Sequence, residues 1–269
     1  MMLLVVTGAS RGLGQAIAVA FCKEQQLRSA SIRALLVARS KEGMKATRKK
    51  MGIACSNTEV RVTLHEMDLS DLMQLDGNID SLLEDSKPFS QYKQIVVINN
   101  AGSLGHLGPA ADTPSLQSLQ RYMDLNVTSS LWLTSRLSKE LMEFEDRTTI
   151  VNISSLCAIE PFPTMAGYCA AKAARDMFHA AMAKEPGVKV LNYAPGVLDT
   201  DMSATLRQCD ALDDGLHAFF NAAHQKGELI PPEKTAEKLV RLVMSGDFQN
   251  GAHVDYWDID DQGNKKSEK

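Results

Sequence analysis

Tyr168 and Lys172 stand four residues apart in Gly167-Tyr168-Cys169-Ala170-Ala171-Lys172, inside a stretch with a helical pattern. That spacing sets a phenol and an ammonium on one helical face. A phenol alone ionises near ~10, too high for ready proton exchange at neutral pH. A cation held beside it favours the phenolate and draws its pKa toward the working range. Tyr-x-x-x-Lys is therefore an acid–base device in outline, although four-residue spacing alone is common. Ser155, 13 residues before Tyr168, closes the run Thr149-Ile150-Val151-Asn152-Ile153-Ser154-Ser155. The run reads as a strand with hydroxyls at its carboxyl end, where open α/β sheets bind ligands.

A second constellation begins near the start of the chain. Thr7-Gly8-Ala9-Ser10-Arg11-Gly12-Leu13-Gly14 follows an apolar strand and opens a helix. Glycines let the backbone approach a pyrophosphate, and a helix N-terminus offers oriented N–H groups and a favourable dipole. G-x-x-x-G-x-G is one variant of the dinucleotide-binding turn; without a ligand it is only a glycine-rich turn. Gly12-Leu13-Gly14 stands where an ATP loop needs Gly-Lys-Ser/Thr. The second strand ends in Ala38-Arg39-Ser40 rather than in the acid that would accept from adenosine ribose hydroxyls. Arg39 with Arg11 suits a 2′-phosphate, so NADP(H) is expected over NAD(H); the alternative is two solvated surface charges. Asp68, in Met67-Asp68-Leu69, either accepts from an adenine amino group or caps the helix begun by Ser70 and Asp71. Asn99-Asn100-Ala101-Gly102 is a turn signal after the fourth strand.

The elements that position these residues alternate along the chain. Short apolar strands are expected over 3–6, 34–38, 60–65, 94–98, 149–153, 188–193 and 252–256. Amphipathic helices are expected over 13–23, 41–51, 72–84, 116–144, 166–184 and 232–244. Such alternation implies an α/β fold, a doubly wound parallel sheet of seven strands with helices on both faces. One domain is expected over 1–261, with a frayed polar tail over 262–269. Residues 203–230 are the least patterned, either a ligand-covering insertion or a surface excursion.

Composition narrows the partners. Apolar residues make up 44% and charged residues 23%, an ordinary globular balance. A net charge of −4 argues against a nucleic-acid surface. No apolar run approaches the ~20 residues of a membrane span. The five scattered cysteines suit reduced thiols in the cytoplasm, and the six histidines show no metal-ligand spacing.

Jointly, Thr7 to Gly14, Asn99 to Gly102, Ser155, Tyr168 and Lys172 resemble the short-chain dehydrogenase/reductase family over nearly the whole chain. Pro195-Gly196-Val197-Leu198-Asp199-Thr200-Asp201-Met202 is similar to that family's segment beside the nicotinamide, and Asn126 matches its fourth catalytic position. The resemblance implies a Rossmann-type fold and an NADP-dependent reductase with Asn126, Ser155, Tyr168 and Lys172 as its catalytic set. Lys172 would also bind nicotinamide ribose hydroxyls, and Asn126 would hold a water for proton resupply. Cofactor contacts are implied for Gly8, Ser10, Arg11, Gly12, Leu13, Gly14, Arg39, Ser40, Asp68, Leu69, Asn99, Ala101 and Gly102. The same role is implied for Tyr168, Lys172, Leu198, Thr200 and Met202. Within the family, Ser154-Ser155-Leu156-Cys157-Ala158, Asn192-Tyr193-Ala194-Pro195-Gly196 and Gly251-Ala252-His253-Val254-Asp255-Tyr256 resemble members that reduce side-chain ketones of pterins, as in tetrahydrobiopterin synthesis. That likeness implies a substrate site of Ser155, Leu156, Tyr168, Gly196 and Asp255, with Asp255 accepting from the pterin's paired N–H groups. Without it, Asp255 is an exposed strand-end acid. A homodimer through 116–144 and the Tyr168 helix is implied too. Another ketone (oxo-acyl, steroid or diketone) and a non-catalytic NADP-sensing module are the rival readings.

Overall fold

The structure, a computed structural model, describes residues 1–264 and residue 266. The strands are β1 (Met2–Thr7), β2 (Ile32–Ala38), β3 (Val60–Glu66), β4 (Gln94–Asn99), β5 (Thr148–Ile153), β6 (Lys189–Ala194) and β7 (His253–Asp255). They form one parallel sheet in the order β3-β2-β1-β4-β5-β6-β7. The order reverses between β1 and β4, and a ligand crevice is expected outside the carboxyl ends there.

The helices are α1 (Gly12–Leu27), α2 (Lys41–Ala54), α3 (Leu72–Ser86), α4 (Leu116–Met123), α5 (Ser129–Leu141), α6 (Ala166–Met182), α7 (Asp201–Arg207), α8 (Asp214–Gln225) and α9 (Pro232–Ser245). Strand side chains alternate between faces, so each strand feeds two cores. Met2, Leu4 and Val6 join Ile17, Phe21 and Leu239 beneath α1 and α9. Leu3 and Val5 join Ile79 and Leu137 beneath α3 and α5. Burial on both faces explains why the central strands are apolar without strict alternation.

The expected helix over 116–144 is broken. Asp124–Thr128 form a π-helical turn between α4 and α5, and a 3₁₀ turn, Met142–Arg147, follows α5. Asn126 lies in the π turn, where its Nδ2 donates to Tyr122 O, four residues back, at 2.9 Å. A side chain that competes for the helix's own carbonyls favours such a widening. Amphipathic periodicity cannot register that event, since the apolar stripe continues through it.

Residues 203–230 complete α7 and supply α8 before returning at Ile230. There Ile230 N donates to Val197 O at 2.8 Å and Asp199 N donates to Ile230 O at 2.9 Å. The excursion is thus pinned to the segment that follows β6. At the C-terminus, Asp260 Oδ1 accepts from Gln262 N and Asn264 N. Positions 265 and 267–269 of the expected polar tail lie outside the described residues.

Candidate active site

The glycine turn is built around Thr7 and Asn100. Thr7 Oγ1 accepts from Asn100 N and Ala101 N, each at 3.0 Å. Asn100 Nδ2 donates to Thr7 O at 2.9 Å. A Cβ on Gly8 would lie 2.7 Å from Asn100 Nδ2, and one on Gly14 would lie 2.4 Å from Gly8 O. Only glycine closes the turn at both places. Gly12 differs: the nearest atom to its would-be Cβ is Thr200 Cγ2 at 3.8 Å, and its φ is +54°. Arg11 is the N-cap of α1 yet gives its helix no side-chain cap bond, so the first N–H groups face an opening floored by glycine. An opening with free N–H groups and a positive dipole end fits a dinucleotide pyrophosphate.

The chemistry-bearing side chains converge beyond the carboxyl ends of β4 and β5. Lys172 is 8% exposed, and its Nζ donates to Ile153 O at 2.7 Å while standing 5.6 Å from the Tyr168 ring centre. Ser155 begins a 3₁₀ turn and accepts from Cys157 N at 3.2 Å. Asn126 is buried; its Oδ1 accepts from Ser103 N at 2.7 Å and its Nδ2 donates to Ser103 Oγ at 3.2 Å. The amide is thus held by protein on both ends, with one Oδ1 lone pair left for a further donor.

Electrostatics here departs from the sequence expectation. Burial pushes the Tyr168 phenol well above its ordinary pKa, helped by Cys157, while the Ser155 hydroxyl and Arg175 pull the other way. The expected lowering of the phenol by Lys172 does not appear: loss of hydration dominates, and the opposing pull comes from Ser155 and Arg175. Lys172 itself is pushed down to about 7, by burial first and then by Arg175. The phenol is therefore fully protonated at neutral pH, the state a proton donor needs.

At the edge where the adenosine is expected, Arg39 and Ser40 are exposed at the end of β2. Ser40 Oγ caps α2 by accepting from Gly43 N at 3.1 Å. Arg11 reaches toward the opposite side and pairs with Asp201 at 2.6 Å, both side chains largely exposed. Asp68 is neither free nor the cap of α3: its Oδ1 accepts from Ser70 N and Oγ at 2.9 and 2.7 Å, and Asp71 holds the N-cap position. Burial raises the Asp68 carboxyl, but the Ser70 bonds and nearby Arg39 win and hold it below the usual range. Leu13 and Leu69 point into the cores, so only their backbone can face a ligand. Asn99 is likewise buried, its Nδ2 donating to Thr134 Oγ1 at 2.6 Å. Leu198 packs against the α1 side of the sheet, and Ala101 O accepts from Arg175.

The substrate candidates follow neighbouring strands. Ser155 stands just past β5, Gly196 just past β6, and Asp255 ends β7 opposite Ala194. Leu156 is 40% exposed beside Ser155, and Met202, like Tyr168 and Cys157, packs against the small cluster of Leu104, Met165, Leu206 and Leu212. Asp255 is half-buried; its Oδ1 accepts from Trp257 N at 2.9 Å. Burial raises its carboxyl pKa against that bond, and Asp258 adds to the rise.

A sequence model of the short chain dehydrogenase family matches residues 3–211. The chain belongs to that family. Sepiapterin reductase of Bos taurus is 36% identical over 262 residues, covering 95% of this chain and 94% of the bovine protein. Benzil reductase ((S)-benzoin forming) of Bacillus subtilis is 30% identical over 263 residues, covering 95% and 98%. Among solved structures, the KRED1-Pglu enzyme superposes with a TM-score of 0.78 at 26% identity, covering 94% of this chain and all of that one. This short-chain dehydrogenase is accordingly an oxidoreductase acting at a carbonyl or hydroxyl carbon with a nicotinamide dinucleotide.

Beneath the site of this family member lies a polar row absent from the sequence reading. Asn99, Asn152, Asn192 and His253 stand in register across β4, β5, β6 and β7. Arg175 and Asp176 of α6 bind that row. Arg175 donates to Asn152 Oδ1 at 2.8 Å, Asn99 O at 2.6 Å and Ala101 O at 3.0 Å. Asp176 accepts from Asn152 Nδ2 at 2.9 Å and pairs with His253 Nδ1 at 2.6 Å. Tyr168, Lys172, Arg175 and His179 follow helical spacing, so projecting α6 as a wheel would have flagged charged residues on its buried face. Asn100, the clamp on the glycine turn, had only its place in a turn to announce it.

Proposed function

We propose that the chain uses NADPH to reduce a side-chain ketone of a pterin. The observation that carries this reading is the half-buried Asp255 carboxylate at the end of β7, two strands along the sheet from β5, which Ser155 follows. Two strand spacings are about 10 Å, the span from a side-chain ketone to the far edge of a bicyclic ring. A carboxylate there accepts the two adjacent N–H groups of an amino-pyrimidinone as a fork. Whole-length similarity to sepiapterin reductase supports the same substrate class.

When bound, a reduced nicotinamide supplies the hydride. Tyr168 gives its proton to the carbonyl oxygen, and Ser155 donates a hydrogen bond to the same oxygen and fixes its place. Lys172 holds the ribose hydroxyls with the donors not taken by Ile153 O. Asn126 fixes the Ser103 loop against α4. Arg39 and Arg11 favour the 2′-phosphate of NADP, which requires Arg11 to leave Asp201. The five free thiols suit a cytoplasmic setting. A homodimer would cover the exposed Leu116, Leu119 and Met177 on α4 and α6.

The test is consumption of NADPH with sepiapterin, with NADH run in parallel. Asp255→Ala is expected to raise KM for sepiapterin at least tenfold while sparing turnover of a simple diketone. Equal effects on both substrates remove the pterin assignment. They would favour diketone reduction, the reading that similarity to benzil reductase supports.

A further inference from the structure

Arg175 is 1% exposed, with all three guanidinium nitrogens hydrogen-bonded to neutral oxygens. Asp176 beside it turns its own oxygens to Asn152 and His253 instead. Two backbone carbonyls and one amide could be served by a neutral donor. A charge is costly at such depth even when hydrogen-bonded, and the nearby Asp176 carboxylate offsets only part of that cost, since burial still lowers the Arg175 pKa to about 10. Arg175 lies one turn beyond Lys172 and two beyond Tyr168 on the same face of α6. It also borders the Asn126 amide: a Cβ built on Gly102 falls 3.1 Å from Asn126 Oδ1 and 3.9 Å from Arg175 Nη1.

We propose that Arg175 is a positioning residue for carbonyl reduction. Its guanidinium ties the Asn99–Gly102 turn to the catalytic helix and supplies the fixed positive charge that governs proton exchange at Lys172 and Tyr168. The inference rests on the reading of Tyr168 as proton donor.

The other titratable groups around the pair leave this role to Arg175. Tyr122 of α4 is raised by burial, and Cys157 after β5 is pushed up to about 11 by burial. Both are neutral at pH 7. His179, one turn further along α6, is pushed down to about 4 by burial and is neutral too. Cys169 faces the phenol from α6 itself, and Asp176, engaged by His253 from β7, opposes Arg175 at Lys172 with a smaller effect. Arg175 lowers both the Lys172 ammonium and the Tyr168 phenol.

The sign of the test follows. Removing a positive charge stabilises a neighbouring ammonium and destabilises a neighbouring phenolate, so both groups titrate at higher pH. Lys172 is followed without substrate or cofactor by the NMR shift of its 13Cε, assigned by its loss in Lys172→Met. The wild-type midpoint is expected near 7. In Arg175→Met it should rise by about one pH unit, and in Arg175→Lys, which keeps the charge, it should stay. The alkaline limb of kcat/KM with NADPH and sepiapterin should move in parallel in Arg175→Met, with kcat down tenfold or more. A midpoint in Arg175→Met matching wild type overturns the proposal, even if activity falls. Should Arg175→Met not fold, a displaced midpoint in Arg175→Lys overturns it equally. An inactive wild type with the predicted Lys172 shifts would instead strike the reading of Tyr168 and leave Arg175's charge effect intact.

Discussion

The proposed catalytic face and the proposed adenosine edge are built on opposite plans. Around the half-buried Tyr168 and Ser155, the side chains of Lys172, Asn126 and Arg175 are buried and tied largely to backbone: Lys172 to Ile153 O, Asn126 to Ser103 and Tyr122 O, Arg175 to three oxygens. At the other end of the crevice, Arg11, Arg39 and Ser40 are exposed, and Arg11 is paired with an exposed acid. Proton donation depends on geometry to fractions of an ångström, so its groups are fixed before a ligand arrives. Recognition of a dianion needs only charge within reach, and an exposed pair such as Arg11–Asp201 contributes little that a phosphate would have to overcome. Fixed geometry and loose charge should therefore fail differently when mutated.

Tyr168→Phe is the hardest blow to the fixed side. It removes the hydroxyl and leaves the ring and its packing. The expected result is a fall in kcat of at least ~10², the usual scale for a positioned acid, with NADPH affinity within about twofold of wild type. Binding measured by fluorescence and rate measured by NADPH absorbance separate the two. Retained turnover would remove Tyr168 from the chemistry and, with it, the contrast between the two regions.

Arg39→Ala tests the loose side. Loss of one charge-assisted contact is expected to raise KM for NADPH about tenfold, leaving KM for NADH and kcat unchanged. An equal change for both cofactors would show that the residue does not read the 2′-phosphate.

The same contrast explains what could be read from the chain alone. Seven strands were placed to within one or two residues because each is a short apolar run, and their parallel direction follows from the intervening helices. Tyr168, Ser155 and the glycine turn stood out because the chemistry proposed for them needs particular residue types at short range. Bonds between distant elements were not visible. The row from Asn99 to His253 is assembled by register between strands 40 to 61 residues apart in sequence, which composition does not encode. The π turn at Asn126 escaped for a related reason: its cause is one side-chain bond to Tyr122 O, not a change in periodicity. Even the electrostatics of Tyr168 required depth: spacing pointed to Lys172, whereas burial raises the phenol and the opposing pull comes from Ser155 and Arg175.

The smallest expected effect probes whether the buried row stabilises the protein as well as holding the site. The His253 pKa is raised, first by its bond to Asp176, against burial. A histidine whose folded pKa exceeds its unfolded one stabilises the fold fully below the unfolded value of about 6.5. That contribution is lost as pH rises through the folded value. His253→Gln keeps a donor but not a charge, so it should lower Tm more at pH 6 than at pH 9. The gap is expected to be on the order of 2–4 °C for about 1 kcal/mol. Because Asp176 also binds Asn152, the variant should leave kcat nearly unchanged while the last strand, with Asp255 two residues on, loses part of its anchor. A Tm difference independent of pH would mean that the pair acts through packing and not through charge. The catalytic row would then be rigid for reasons that owe nothing to its ionised groups.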